Sequence, residues 1–265
     1  MTAPASSTGR TPVRRRRGPG WVPNQHGAWA MLVLPVVVGA LRAGPTWRHL
    51  LLGVAWLAAY LAFFATGLWL RSGRKARYWP PVRAYALVTA ALGLALLASR
   101  PALVTWGVVY APLLAVSLWQ SIRRADRSLV NDAVTMVAAS VMVAVAAGLG
   151  SGAPDAWTWL PGATDGATWA VTGLVLAYFF GTALYVKTMI RDRGNRRRYV
   201  ESIGYHALIC VPAFAWNPWA GVLFLALAAR AAVVPQSWPR ATPRTVGLGE
   251  VAASVALALV LVAAG

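Results

Sequence analysis

The chain has 265 residues, 58% of them hydrophobic, with a mean hydropathy of +0.56 and a formal net charge of +18. Apolar content spread this evenly over this length excludes a single soluble domain behind a signal peptide, and points to a core packed against lipid. The charge does not indicate nucleic-acid binding, because the basic residues sit in short connections between apolar spans and form no stripe on a soluble module.

Residues 1–24 are polar, contain Pro, Ser and Thr, and carry the run Arg14, Arg15, Arg16 and Arg17 before Trp21. The apolar sequence that follows runs on from His26 to Leu41, broken only by Pro35 and Arg42, with no small-residue cleavage site. This predicts a disordered basic cytoplasmic tail over residues 1–24 and a transmembrane helical domain over residues 25–265. The arginine run serves topology and head-group binding.

Nine spans of about membrane length follow, at 26–42, 47–70, 82–99, 101–120, 129–149, 167–187, 202–216, 218–235 and 246–264. In the seventh and eighth, Trp216-Asn217-Pro218-Trp219 marks either a tight turn between two short spans or a kink in one long helix. Two short spans joined at the interface is the better fit. Connections assigned outside hold Arg42, Arg48 and Arg100, with Asp155 and Asp165 in the long one at 150–166. Those assigned inside carry far more positive charge: Arg71, Arg74, Lys75, Arg77 and Arg83 after the second span, Arg123, Arg124 and Arg127 after the fourth, Arg191 to Arg198 after the sixth, and Arg240 and Arg244 after the eighth. The fold class predicted is therefore all-α, a polytopic membrane helical bundle of about nine transmembrane helices with its N-terminus inside and its C-terminus outside. Fourteen tryptophans and eight tyrosines, gathered mainly near span ends, fit an interfacial belt. The lone cysteine, Cys210, lies in an apolar span, where no intramolecular disulfide can form.

A weak repeat overlies the pattern, since spans two, four and six each end in an aromatic residue followed by a basic cluster. Helix-pair duplication would produce it, and so would the aromatic belt combined with the positive-inside bias.

Residue types that could carry chemistry are few. Gln25, His26 and Trp29 fall within one turn at the mouth of the first span and would line one wall or serve as an interfacial anchor. Tyr60, Phe64, Gly67, Arg71, Arg74, Lys75 and Tyr78 recur at spacings of three and four, which predicts one stripe running from an aromatic channel into a basic mouth. Phe180, Ala183, Lys187, Arg191 and Gly194 form a counterpart on the sixth span, with Asp192 and Arg193 beside it; Lys187 would sit in the bundle or snorkel to the interface. Asn131-Asp132 opens the fifth span, fitting helix capping as readily as cation binding. Glu250 lies inside the last span, close in sequence to Arg244, and an intramembrane carboxylate needs a partner. His206 reads as a core histidine one turn from Ser202. Zinc-ligand spacings, phosphate-binding glycine loops and nucleophile elbows are missing from the sequence.

These residues carry a resemblance. The segments Gln25 to Ala30 (Gln-His-Gly-Ala-Trp-Ala), Tyr185 to Arg191 (Tyr-Val-Lys-Thr-Met-Ile-Arg) and Arg240-x-x-Pro243-Arg244-x-x-Gly247-x-x-Glu250 resemble the YwiC-like family of bacterial membrane proteins. The nine-span layout, with polar clusters after spans two and six, is also similar to the UbiA superfamily of intramembrane prenyltransferases. There the same two places carry aspartate-rich motifs that hold Mg²⁺ and, through it, a prenyl diphosphate. This sequence departs from that pattern: after span two stand Arg71, Arg74 and Lys75 with no acid, and after span six Asp192 stands among arginines. Mg²⁺ is disfavoured by this loss, and the cofactor stays unknown.

The reading that follows is an intramembrane pocket open to the cytoplasm. Arg71, Arg74, Lys75, Lys187, Arg191, Arg193 and Arg244 surround an anionic head, and Tyr60, Phe64 and Phe180 lie along the tail of an isoprenoid or phospholipid. Gln25, Trp29 and Tyr78 complete the binding set. A metal-independent or atypical lipid or prenyl transfer would draw its base from His26, Asp132, Asp192 or Glu250. The alternatives are an anion transporter or channel-like permease, with the same arginines as an entry funnel, and a non-catalytic membrane assembly protein. Expected partners are an anionic lipid or isoprenoid phosphate and the membrane lipids, with no nucleic acid, and the expected location is the bacterial cytoplasmic membrane.

Overall fold

The computed structural model describes residues 20–23, 28–126, 128–153 and 156–264. Among them run nine α-helices: α1 (Ala28–Ala43), α2 (Trp47–Arg71), α3 (Trp79–Ser99), α4 (Gly107–Ile122), α5 (Leu129–Ala147), α6 (Gly166–Ile190), α7 (Arg196–Trp216), α8 (Pro218–Ser237) and α9 (Pro243–Ala263). Single 3₁₀ segments precede α3 (Ala76–Tyr78) and α4 (Pro101–Trp106). The tail at residues 1–19, Gln25, His26, Arg127 and Asp155 lie outside the described residues.

Short polar residues start the last five helices. Ser128, Asp165, Asn195, Asn217 and Thr242 each accept a hydrogen bond from a first-turn amide, satisfying donors that the helix leaves without a partner. The cap at Asn217 resolves the ambiguity at 216–219. Its backbone is extended (φ −160°, ψ 135°), its side chain caps α8, and Pro218 occupies the first helical turn, so α7 and α8 are two helices folded back on each other. They pack closely because residue 221 is glycine: a Cβ there would collide with the Phe214 ring.

Among the described residues seven helical segments are long and apolar enough to cross a membrane, and the chain is a multi-pass membrane protein. Helices α1 and α7 fall outside that set. The first has 16 residues, and the second opens with Arg196, Arg197 and Arg198 and keeps Glu201 in its next turn, so only its later part is apolar.

Helix α6 is the hub. Its buried face, with Val171, Val175 and Phe179, packs against Leu34 and Val38 of α1, Met136 and Val143 of α5, Phe224 of α8 and Leu257 of α9. A second apolar cluster lies on the other side of α5, where Met142, Val145 and Leu149 meet Leu52 of α2 and Trp106. Helices α1 and α5 approach most closely at Gly39, whose missing side chain leaves room for the Val143 carbonyl and the Ala146 methyl group. Helix α3 packs mainly on α2 and leaves most of its surface apolar and exposed, as a lipid-facing helix does.

One end of the bundle gathers the termini around Ala43, Trp47, Ala147, Gly166 and Ala263. There Thr46 Oγ1 donates to the Leu149 carbonyl at 2.9 Å, and Arg42 Nη1 donates to the Leu261 carbonyl at 2.5 Å. His49 joins the same end. Its Nδ1 accepts from the Thr46 amide at 2.9 Å, so Nε2 carries the proton and donates to the Ala146 carbonyl at 2.9 Å. The opposite end collects most of the arginine and lysine.

Candidate functional site

Two polar layers stand out: the basic end, and a cluster two helical turns inside it. At the basic end α2 stops at Arg71, and the chain then turns through two left-handed residues, Gly73 (φ 75°) and Arg74 (φ 61°). This turn breaks the expected stripe. Tyr60, Phe64, Gly67 and Arg71 share α2, whereas Arg74, Lys75 and Tyr78 belong to the turn and the 3₁₀ segment and do not continue that face. After α6 the break comes later: Arg191, the C-cap, keeps helical geometry and its amide donates to the Lys187 carbonyl, so it stays one turn on from Lys187, and Gly194 (φ 81°) is where the chain leaves the stripe. Phe180 and Ala183 pack against the core.

The two basic ends do not meet each other directly, because α2 and α6 share no packed interface. The turn between α4 and α5 bridges them. Arg71 Nη1 lies 3.3 Å from Asp126 Oδ2, and Lys187 Nζ lies 2.8 Å from Asp132 Oδ2. Between these pairs, Ser121 donates to Asp126 at 2.6 Å, the Asn131 amide group donates to the Asp126 carbonyl at 2.8 Å, and Ser117 donates to Asn131 Oδ1 at 2.5 Å. Sequence reasoning read Asn131-Asp132 as a helix cap or cation site, with Asp132 also a candidate base, and passed over Ser117 and the pairing of Asp126 with Arg71, which only helix packing brings together.

The remaining cations of this end are exposed. Arg74 lies over Trp69, Arg77 over Tyr78 and Arg123 over Trp119, with guanidinium carbons 5.8, 4.9 and 4.7 Å from the ring centroids. Arg193 is drawn inward by the Met189 and Ala241 carbonyls, at 2.6 and 2.9 Å from its Nη2. Asp192 lies 4.0 Å from Arg198 Nε, and Glu201 is held by both Arg197 and Arg198 at 2.8 Å. Arg244 is exposed at the start of α9, and Trp29 is exposed on α1.

The inner cluster lies about 10 Å in from that end, judged by helical rise. Its centre is Glu250 of α9, whose partner is Arg230 of α8 and not the sequence-adjacent Arg244: Arg230 Nη1 stands 2.9 Å from Glu250 Oε1. Thr182 of α6 donates to Glu250 Oε2 at 2.9 Å. The Tyr185 ring lies under the guanidinium, 4.2 Å from its carbon. Tyr178 donates to the Glu250 backbone carbonyl at 3.2 Å, and its hydroxyl is 2.9 Å from that of Ser254.

Beside this pair, His206 Nδ1 donates to the Ser202 carbonyl at 2.7 Å, and its Nε2 faces α6 at Gly181, where a Cβ would stand 2.9 Å away. The crevice between α6, α7 and α8 has no room for a water molecule. Sequence reading missed Arg230; the available signal was a lone arginine in the run Ala228-Ala229-Arg230-Ala231-Ala232, which demands a partner inside a membrane. Among the described residues, no three His, Cys, Asp or Glu side chains converge as a metal-binding group.

Comparison with known proteins places this arrangement. The family model described as YwiC-like protein matches residues 22–147. The uncharacterized protein YwiC of Bacillus subtilis is 31% identical over 233 residues, which cover 87% of this chain and 92% of that protein. The chain belongs to the YwiC-like family. An uncharacterized protein of Haemophilus influenzae is 30% identical over 202 residues, 73% of this chain and 76% of its own length. No solved structure matches the chain. The YwiC-like matched region runs from α1 to α5 and includes Arg71, Asp126 and Asp132, whereas Lys187, Arg230 and Glu250 lie beyond it.

Proposed function

We propose that this YwiC-like protein binds an anionic lipid, an isoprenoid phosphate or a phospholipid, by its head group at the basic end of the bundle. The observation that carries the reading is the charge imbalance there. Each described carboxylate at that end, Asp126, Asp132, Asp192 and Glu201, already faces a cation. Arg74, Lys75, Arg77, Arg83, Arg123, Arg124 and Arg191 have no carboxylate partner among the described residues and are exposed. The stacking of Arg74, Arg77 and Arg123 on aromatic rings fixes these cations at the level where tryptophan and tyrosine mark a membrane interface. An exposed cation near an anionic surface contributes about 1 kcal/mol of attraction.

The basic end faces the cytoplasm in this reading, with the N-terminus inside, the C-terminus outside and a UbiA-like order of nine membrane helices in the bacterial inner membrane. The head group sits against Lys75 and Arg74 on one side of the α4–α5 turn and Lys187 and Arg191 on the other. Tyr60, Phe64, Trp29 and Tyr78 are the candidate tail and rim contacts, with Arg193 and Arg244 at the margin. Binding without transfer is the simpler form, because Asp132, Asp192 and Glu250 each face a cation and would have to leave it to take a proton from a substrate. Anion transport is the less supported form: Val38, Val143, Val171 and Phe179 close the bundle with an apolar layer between its ends.

The test is native mass spectrometry of the full chain extracted in mild detergent, comparing wild type with Arg74→Gln/Lys75→Gln/Arg77→Gln. Retained phosphatidylglycerol or isoprenoid phosphate should fall at least tenfold in the triple variant. Equal retention in both proteins overturns the reading, and chloride or phosphate flux in liposomes then becomes the next assay.

A further inference from the structure

Helices α2 and α4 run side by side in the same direction and touch at fixed places along one face of α2. The Trp56 and Tyr110 rings meet edge to face, with centroids 6.0 Å apart. About three turns further on, Gly67 faces Ser121, whose hydroxyl would stand 3.2 Å from an added Cβ, and Arg71 reaches Asp126 just beyond the end of α4. Each contact joins residues at nearly the same sequence offset, so the two helices stay parallel and in register over about 22 Å. Tyr60 lies one turn on from Trp56, and by helical rotation its direction falls between those of Trp56 and Arg71, on the α4-facing side of α2.

Two donors on this face are left over. The Tyr60 hydroxyl and the Trp56 indole N–H are both shielded from solvent, and neither has a hydrogen-bond partner among the described residues. Helix α4 commits its nearby hydroxyls elsewhere: Tyr110 donates to the Ala138 carbonyl at 3.0 Å, Ser117 to Asn131 Oδ1, and Ser121 to Asp126 Oδ1 at 2.6 Å. Leu113 and Leu114, between them, are apolar. Tyr60 stands about 16 Å from Arg71 and about 20 Å from Trp47, near the middle of a helix of membrane length. At that depth bulk water does not reach a buried donor, so each one needs a partner inside the bilayer. Contact with a lipid tail accounts for the ring of Tyr60 but not for its hydroxyl.

We propose that the seam between α2 and α4 is a mid-membrane site for a neutral lipid, held through a carbonyl oxygen that accepts from Tyr60 and Trp56. The class of ligand follows from the donors and their depth. An indole N–H only donates, so the ligand brings an acceptor. No charged residue stands between Trp56 and Arg71 on α2 or between Tyr110 and Ser121 on α4, which excludes an anionic group at this level. Phospholipid head groups stay in the interfacial layer, far from the middle of the hydrocarbon. A quinone ring and a fatty ester share the chemistry that remains, an sp² oxygen on an otherwise apolar body. Access is lateral: α2 packs far more extensively on α3 than on α4, and the Tyr60 side chain is partly exposed although its hydroxyl is shielded. The site does not rest on head-group binding at the basic end.

The experiment uses the full chain, stripped of co-purifying lipid in neutral detergent and returned to phosphatidylcholine nanodiscs. Thermal unfolding is followed against a short-chain menaquinone, for the quinone ring, and methyl oleate, for the ester. Tyr60→Phe and Trp56→Phe each remove one donor and keep an aromatic ring, and Arg74→Gln/Lys75→Gln is the control at the basic end. A probe that stabilises the wild type, binds about fivefold or more weaker in both donor variants and is unchanged in the control establishes the site. Whichever probe does so names the source of the carbonyl. With no probe, Tyr60→Phe should unfold at the wild-type temperature or above it, because it removes only an unpartnered hydroxyl. A lower midpoint in that stripped variant would show that a structural water already satisfies the hydroxyl, and it overturns the proposal. So does the absence of stabilisation by either probe, stabilisation that survives Tyr60→Phe or Trp56→Phe, or stabilisation that is lost in the control.

Discussion

Arg230 and Glu250 face each other across the α8–α9 interface, 2.9 Å apart and two turns from the nearest helix ends, with Thr182 of α6 on the other carboxylate oxygen. The pair closes three helices around one buried point. Removing a single partner leaves an uncompensated charge there, which costs about 3–5 kcal/mol in buried pairs. Glu250→Leu and Arg230→Met should therefore each lower the thermal unfolding midpoint of the detergent-solubilised protein strongly. The double variant should recover most of the loss, and a double variant as unstable as either single one would show that the pair is not the clasp described.

The Lys187–Asp132 pair is similarly short, at 2.8 Å, but does not have the same weight. Its side chains are 27% and 31% exposed at the end of the bundle, where water screens the interaction. Lys187→Gln should cost no more than about 1 kcal/mol of stability. A much larger loss of stability in the same unfolding assay would place Lys187 in the bundle interior.

Close approach of α1 and α5 makes a sharp contrast among glycines. Gly39→Leu pushes a side chain into the Val143 carbonyl and should destabilise the protein by about 1–3 kcal/mol. Gly53, on α2, has nothing within 4 Å of an added Cβ, so Gly53→Ala should be neutral or stabilise by up to about 1 kcal/mol. Equal effects at the two positions would contradict the packing of α1 on α5.

Asp165 supplies a pH dependence. Hydrogen bonds from the Thr168 hydroxyl and amide and from the Ala167 amide, assisted by the charge of Arg42, hold its carboxyl below the ordinary carboxylate range. A carboxylate with a lowered folded-state pKa stabilises the fold fully above its unfolded value, and that contribution is lost as pH falls through the folded value. Asp165→Ala should cost about 1 kcal/mol at neutral pH through loss of the α6 cap. The gap between variant and wild type should shrink below the usual carboxylate range, and a gap that is constant down to acid pH would refute the assignment of the cap to the ionised form.

Part of the site was legible because its logic is one-dimensional. Glu250 stood out as a carboxylate inside an apolar run, and Lys187 as a cation just before a basic loop. What could not be read was rotation about helix axes: Arg230 lies on the same face as Glu250 only because of how α8 packs on α9, and Arg244, close in sequence, ends up exposed. The continuous stripes expected through Arg74 and out to Gly194 failed for a local reason, since left-handed residues at Gly73, Arg74 and Gly194 turn the chain away from the helix axis, whereas Arg191 stays one turn on from Lys187.

The sequence by itself determined that this chain is a multi-pass, all-α membrane protein of the YwiC-like family with its positive charge on alternate connections, because hydropathy and charge placement act through composition over whole segments. Tertiary structure alone decided which charges meet. Arg71 is held by Asp126 of the α4–α5 turn and Lys187 by Asp132 of α5, and Arg230 of α8 meets Glu250 of α9. Coulombic and hydrogen-bond partners act over a few ångströms, and only the packing of the helices brings residues separated by tens or hundreds of positions to within that range.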